Sequence, residues 1–246
     1  MMLLSNGIKI VLLLLGGVFI VLQGLGFEFE GASVSTLMLL LLALLYFVWT
    51  KNKSSFFFWF LISFALAQLI GFVSYYTPEE FIQDVDYFYY ISNGLYILAY
   101  IFLICRVLKD LNFKSIVTQF YVPIIILVVL DVFCVILVTD TTQNVLTLNE
   151  YLLEFFYNGI IMVLLSVALI NYMYRNDTKS MLFLLGSIFI VFSEIIQLAY
   201  YYIIDENYLG FIYSAFLVAA FFFFYMQSQK SFSGPVPAYS DEHLKT

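Results

Sequence analysis

The segment 189–202 reads FIVFSEIIQLAYYY and carries Glu194 in the middle of an apolar run long enough to cross a membrane. A charged side chain near the centre of a membrane-spanning helix costs about 2.5 kcal/mol or more on insertion scales, so such a residue usually has a function or a partner. On a helix, Glu194, Gln197 and Tyr201 are spaced at i, i+3 and i+7 and share one face. That face is the first candidate functional surface.

The composition around this segment is that of an integral membrane protein. Of the 246 residues, 63% are apolar and 11% are charged, whereas soluble domains contain about 25% charged residues. Apolar runs of about 20 residues match a hydrocarbon core of about 30 Å. Eight such runs are present: 8–25, 34–50, 56–76, 87–107, 116–138, 151–174, 180–204 and 209–226. We predict an all-α polytopic bundle of eight transmembrane helices over residues 1–228 and a disordered cytoplasmic tail over 229–246.

Charge is divided between the two sides of the predicted bundle. When the loops are assigned alternately to two sides, all ten Lys and Arg residues fall on one side, and acidic residues such as Glu28, Glu150 and Glu154 gather on the other. By the positive-inside rule, the basic side and both termini are cytoplasmic. This pattern fits a multi-pass protein of the bacterial inner membrane, although an endoplasmic reticulum protein has a similar pattern.

Five predicted helices carry a polar side chain at a similar depth. Counted inward at 1.5 Å per residue, these side chains lie about 10 to 15 Å below the acidic side. Polar groups at such depth turn away from lipid, toward the bundle interior or a wet cavity. We therefore predict a pocket in the outer half of the bundle, with Tyr96, Tyr100, Tyr157 and Tyr201 as walls. The five polar residues are Gln68, Asn93, Asp131, Asn158 and Glu194.

A structural interpretation competes with this pocket. Amides and hydroxyls in spans often serve as interhelical hydrogen bonds worth about 0.6 kcal/mol each, and tyrosines at helix ends form an interfacial belt. For Gln68, Asn93 and Asn158 both interpretations stay open. For Glu194 and Asp131 we favour function, because the sequence places no Lys, Arg or His at their depth. We interpret as structural the residues Ser63, Tyr89, Tyr90, Ser166 and Asn171.

Several classes of site are excluded by the sequence. The two cysteines, Cys105 and Cys134, lie near opposite ends of their spans, and the single histidine, His243, lies in the last few residues. A buried histidine-based metal site or a Ser-His-Asp triad is therefore excluded, and no glycine-rich phosphate loop is present. We expect no metal, no cofactor and no nucleic-acid partner.

Three short motifs carry a family resemblance: Ala67-Gln68-Leu69-Ile70-Gly71, Ser92-Asn93-Gly94-Leu95-Tyr96-Ile97, and a run from Gly186 to Ser193-Glu194. Together they resemble the YhhN-like lysoplasmalogenase family, and the likeness covers most of the membrane region. The resemblance implies an eight-span bundle that hydrolyses the vinyl ether bond of lysoplasmalogens, releasing an aldehyde and a glycerophospho-base. Gln68, Asn93 and Glu194 stand where the family has Asp, His and Asp, while Ser193 and Tyr96 match its pattern.

Vinyl ether hydrolysis needs an acid to protonate the alkene carbon and a base to activate water. We assign Glu194 as the acid and Asp131 as the base. The expected substrate is a lysolipid or a related membrane amphiphile. We expect it to contact the residues Gln68, Asn93, Tyr96, Asn158, Ser193, Gln197 and Tyr201.

Two other functions stay open. Amides at positions 68 and 93 preserve hydrogen bonding and lack acid-base capacity, which is consistent with a catalytically inactive accessory or structural subunit of a membrane complex, or with a lipid-binding sensor. A proton-coupled transporter that uses Glu194 and Asp131 as a relay is less favoured. Transporters often contain paired broken helices, whereas Pro123 is the only proline inside a predicted span.

Overall fold

The computed structural model describes residues 2–77, 86–204 and 206–231, and in that part of the chain it contains α-helices and no β-strand. The predicted tail is described only as far as residue 231, so its predicted disorder lies outside the described residues. The helices are α1 (Met2–Gly24), α2 (Glu28–Trp49), α3 (Ser55–Ser74), α4 (Tyr87–Lys109), α5 (Phe113–Asp140), α6 (Leu148–Arg175), α7 (Thr178–Tyr202) and α8 (Asn207–Ser228).

All eight helices are long and apolar enough to cross a membrane, which confirms the predicted fold class. Most helices extend beyond their apolar runs, because polar residues cap or precede them. Helix α6 begins three residues before the predicted start, where Thr147 and Glu150 form a reciprocal capping box. Helix α2 begins six residues early, with Glu28 and Glu30 in its first turn. Carboxylates there interact favourably with the helix dipole.

Seven helices form a closed ring in the order α1, α2, α3, α4, α6, α7 and α8, with α8 returning to α1. Helix α5 packs against α6 on the outside of the ring. It bends at Phe120, whose φ of −118° and ψ of 25° are non-helical, three residues before Pro123. Proline lacks a backbone N–H and crowds the preceding turn, which accounts for the bend.

Glycines allow close contacts between α8 and both of its neighbours. A methyl group built on Gly186 of α7 would lie 2.7 Å from the Phe224 ring, and one built on Gly210 of α8 would lie 2.5 Å from the backbone carbonyl oxygen of Gln23 in α1. A side chain at either position would push the helices apart. These two glycines therefore set the spacing of α7, α8 and α1.

Aromatic side chains fill much of the ring interior. Phe60 of α3 stacks on Phe221 of α8, with ring centroids 5.6 Å apart and planes 13° apart. Phe64 makes an edge contact with Tyr96 at 4.8 Å and another with Tyr100 at 6.0 Å. Offset and edge contacts of this kind are the favoured geometries of aromatic pairs. The aromatic core thus holds the rings of Tyr96 and Tyr100 in position.

Candidate functional site

A cavity of about 300 Å³ lies inside the acidic end of the bundle, and residues of α2, α3, α4, α6 and α7 line it. Its position at that end follows from the lining residues, which include Ser74 near the end of α3, Tyr89 near the start of α4 and Tyr202 at the end of α7. Tyr201, which is 48% exposed, also lines the cavity. We call this space the acidic-end cavity.

Glu194 projects from α7 into the acidic-end cavity and is held by two tyrosines. The Tyr157 hydroxyl of α6 donates a hydrogen bond to Oε2 at 2.7 Å, and the Tyr100 hydroxyl of α4 donates to Oε1. Both tyrosines are buried. Each carboxyl oxygen therefore has its own donor from a different helix, which fixes the position of the carboxyl group.

A second carboxyl, that of Glu154, lines the same cavity. Its side chain is only 6% exposed, and its Oε1 accepts a hydrogen bond of 2.8 Å from the Tyr89 hydroxyl. The sequence pattern predicts Glu154 only as one of the charges of the acidic side and Tyr89 as a structural residue. A signal was present, because Glu154 lies four residues before Asn158 and therefore on the same helix face.

The structure brings seven of the nine predicted site residues together around the acidic-end cavity. Residues predicted to lie at a similar depth in the membrane are therefore also neighbours around one cavity. The seven are Gln68, Asn93, Tyr96, Asn158, Glu194, Gln197 and Tyr201.

Ser193 and Asp131 do not line this cavity. Ser193 is completely buried on the other face of α7, where its hydroxyl donates to the Tyr213 carbonyl of α8 at 2.8 Å. Asp131 lies on the outer helix α5, and its two carboxyl oxygens are 2.9 Å and 2.7 Å from the Ser166 hydroxyl of α6. The pairing of Asp131 with Glu194 across one pocket therefore has no counterpart in the structure.

The three cavity amides also make structural hydrogen bonds. The Ser35 hydroxyl lies 3.4 Å from Oε1 of Gln68, joining α2 to α3. Nδ2 of Asn158 donates to the Thr139 hydroxyl of α5 at 3.2 Å. Nδ2 of Asn93 donates to the backbone carbonyl of Tyr89 at 2.9 Å. Each amide thus has one polar atom committed to the bundle while its side chain also borders the cavity, which is compatible with both open interpretations.

The lining of the acidic-end cavity is acidic. Among the described residues its lining includes two carboxyls and several tyrosines but no Lys, Arg or His. Partial burial, followed by the influence of Tyr201 and Glu28, raises the pKa of the lining residue Tyr75 above its ordinary value. Such a lining favours a neutral or cationic polar group over an anion. Within the described ranges, no group of three or more His, Cys, Asp or Glu side chains is arranged to hold a metal ion.

Comparison of the chain with family models, with curated proteins and with solved structures finds no match. The resemblance of its membrane motifs to lysoplasmalogenases therefore stays a prediction.

Proposed function

We propose that the protein binds the polar part of a membrane amphiphile, a lysolipid, in the acidic-end cavity and hydrolyses its vinyl ether bond. The supporting observation is Glu194, a carboxyl in the interior of a membrane bundle that borders a cavity and is held by tyrosines from two other helices. The cavity, at about 300 Å³, is at the lower end of the range for small-ligand sites. The acidic lining suits the cationic base of the head group, while the alkenyl chain of the vinyl ether extends toward lipid.

The proposed reaction consumes one water and involves no oxidation or reduction. An acid protonates the alkene carbon remote from the ether oxygen, which leaves an oxocarbenium ion at the carbon bonded to that oxygen. Water adds to this carbon as a base takes its proton, giving a hemiacetal. The hemiacetal then breaks its bond to the glycerol oxygen, which takes a proton, and the fatty aldehyde is released. Two positioned proton-transfer groups therefore suffice.

Glu194 is the proposed acid. After it gives up its proton, the hydroxyls of Tyr100 and Tyr157 stabilise the resulting carboxylate by one hydrogen bond to each oxygen. Glu154 is the proposed base that accepts the proton of the attacking water, and the Tyr89 hydroxyl orients its carboxylate. In this assignment Glu154 takes the role first given to Asp131, because it is the second carboxyl in the cavity lining.

The test is a mass-spectrometric assay of purified protein with a lysoplasmalogen and, separately, with an ester lysolipid. We expect aldehyde from the vinyl ether substrate alone and a loss of at least about a hundredfold in Glu194→Gln, which keeps the shape of the side chain but cannot act as the acid. Glu30→Gln is the matched control, since Glu30 is exposed at the same end of the bundle. Full turnover in Glu194→Gln contradicts the assignment.

A second function is favoured by one specific observation. Both oxygens of Glu194 already accept tyrosine hydroxyls, an arrangement that also suits a purely structural carboxyl in a lipid-binding or accessory subunit. The amides at positions 68 and 93 are consistent with this function. A lipid that stays bound and unmodified in the assay, or stable co-purification with a larger membrane complex, supports the non-catalytic function.

We further infer that the basic end of the bundle faces the cytoplasm and that the membrane is a bacterial inner membrane. The support is the clustering of Lys and Arg: nine of the ten lie within the described residues, and all nine are near one end of the helices. Positive charge is retained on the cytoplasmic side during membrane insertion.

A further inference from the structure

A second polar pocket lies at the basic end of the bundle, opposite the acidic-end cavity. Residues near the basic ends of α4, α6, α7 and α8 converge there. The volume of the pocket is about 20 Å³. Three cations, Arg106, Arg175 and Lys179, line this basic pocket together with a single carboxylate, that of Asp110. The proposed function leaves these residues without a role.

Two hydrogen-bond donors in the basic pocket are enclosed without an acceptor. Arg106 reaches across the bundle from α4, and its Nη2 donates to Oε1 of Gln227 in α8 at 2.9 Å. Its other terminal nitrogen, Nη1, has no hydrogen-bond partner among the described residues, and the same holds for Nε2 of Gln227. The Gln227 side chain is only 1% exposed. Buried donors are rarely left unpaired, so this pair points to a ligand that supplies acceptor oxygens.

The guanidinium groups are fixed in place before any ligand binds. The Arg106 guanidinium lies 5.0 Å from the centroid of the Phe57 ring, a distance suited to a cation–π contact. Arg175 donates from Nη2 to the Asp110 backbone carbonyl at 2.6 Å and from Nε to Oδ1 of Asn171 at 3.1 Å. A preorganised positive pocket loses little side-chain entropy when an anion enters.

We propose that the basic pocket binds a phosphate group through its terminal oxygens, which accept hydrogen bonds from Nη1 of Arg106 and Nε2 of Gln227. A volume of about 20 Å³ admits one or two oxygens, while the remainder of the group stays at the surface. Guanidinium groups suit phosphate because their planar donors match its oxygens. The lining residues lie near the helix ends, at the depth of lipid head groups, so the phosphate belongs either to a phospholipid or to a free anion.

The test uses the purified full chain and follows the midpoint of thermal unfolding during titration with inorganic phosphate and, separately, with dihexanoyl phosphatidic acid. Both titrations are compared with chloride at equal ionic strength. We expect stabilisation by a phosphate compound beyond that by chloride. A response to both ligands identifies the phosphate group itself, and a response to phosphatidic acid alone identifies a phospholipid. Equal responses to chloride and to both phosphate compounds overturn the proposal.

Variants distinguish phosphate binding in this pocket from nonspecific attraction of phosphate to a basic surface. Gln227→Leu removes one enclosed donor, and Arg106→Lys keeps the charge but removes the planar fork. Losing one charge-assisted hydrogen bond should weaken apparent phosphate affinity by about tenfold or more in each variant. Lys109→Gln is the matched control, because Lys109 is exposed at the end of the same helix and outside the pocket lining. Wild-type phosphate affinity in Gln227→Leu contradicts the proposal, and so does an equal loss of phosphate affinity in Lys109→Gln. If Arg106→Lys does not fold, the result for Gln227→Leu decides.

Discussion

At the scale of single residues, two intramembrane carboxyls have different surroundings. Glu154 borders the acidic-end cavity, whereas Asp131 lies between α5 and α6 against the Ser166 hydroxyl. We expect Glu154→Gln to lower aldehyde release by at least about tenfold, because it removes the proposed base. Asp131→Asn should leave turnover within about twofold and lower stability by about 1 kcal/mol, because it weakens one interhelical hydrogen bond. Turnover assays and thermal unfolding of both variants measure these effects.

The reverse result in this pair would return the role of base to Asp131. If Glu154→Gln turns over normally while Asp131→Asn is inactive and stable, the acidic-end cavity is not the reaction site. In a protein without turnover, the same variants are compared by the amount of lysolipid retained after purification. Loss of lipid in Glu154→Gln alone then supports the cavity as a binding site.

The different positions of Glu194 and Asp131 show how far the sequence determines the site. Counting residues along a span gives the depth of a side chain, and that depth groups Gln68, Asn93 and Glu194, which line one cavity in the structure. Depth does not give the direction in which a side chain points across the membrane. Asp131 has the right depth, but its helix lies outside the ring. Direction depends on which helices are neighbours, and that is decided by packing between segments distant in the chain.

At the scale of helices, the tight contacts of α8 depend on the absence of side chains at Gly186 and Gly210. Gly210→Ala places a methyl group 2.5 Å from the Gln23 carbonyl oxygen, so one helix must shift. We expect it to lower stability by about 1 to 3 kcal/mol, as for other overpacked sites. Gly159→Ala is the control, because nothing lies within 4 Å of a methyl group at that position. Thermal unfolding in detergent measures the effect, and equal stability of the two variants would contradict the packing argument.

The helices themselves were predictable because each is encoded by its own apolar run. The arrangement of the helices in a ring was not predictable, because all eight runs have the length and composition of a span and none identifies its neighbours. Helix α5 gave a partial signal: it is the most apolar of the eight, and a helix that is apolar on all sides suits contact with lipid. Asp131 obscured that signal, because a carboxyl in a span suggests an interior position. Its hydrogen bond to Ser166 satisfies it at the edge of the ring instead.

At the scale of the whole molecule, the bundle has two chemically opposite ends. The acidic-end cavity contains carboxyls and phenols. The basic pocket contains the guanidinium groups of Arg106 and Arg175, and Nη1 of Arg106 has no acceptor among the described residues. Between them lies the aromatic core around Phe60 and Phe221. The two linings therefore favour ligand groups of opposite charge. Which site faces which compartment depends on the orientation of the bundle.

Orientation is testable with a matched pair of asparagines in loops at opposite ends of the bundle. Asn52 lies between α2 and α3 at the basic end, and Asn144 lies between α5 and α6 at the acidic end; both are exposed. In a chain with Cys105 and Cys134 replaced by Ala, we expect a membrane-impermeant maleimide to label Asn144→Cys in intact cells. Asn52→Cys should react only after permeabilisation, because the lysines beside it are retained in the cytoplasm.

Labelling of Asn52→Cys alone in intact cells would invert the bundle, and labelling of both would contradict an intact spanning topology. The expected pattern has a consequence for both proposals. It opens the acidic-end cavity toward the outer leaflet, so its amphiphile enters from that side. It places the basic pocket at the cytoplasmic leaflet, where anionic phospholipids would supply the phosphate group.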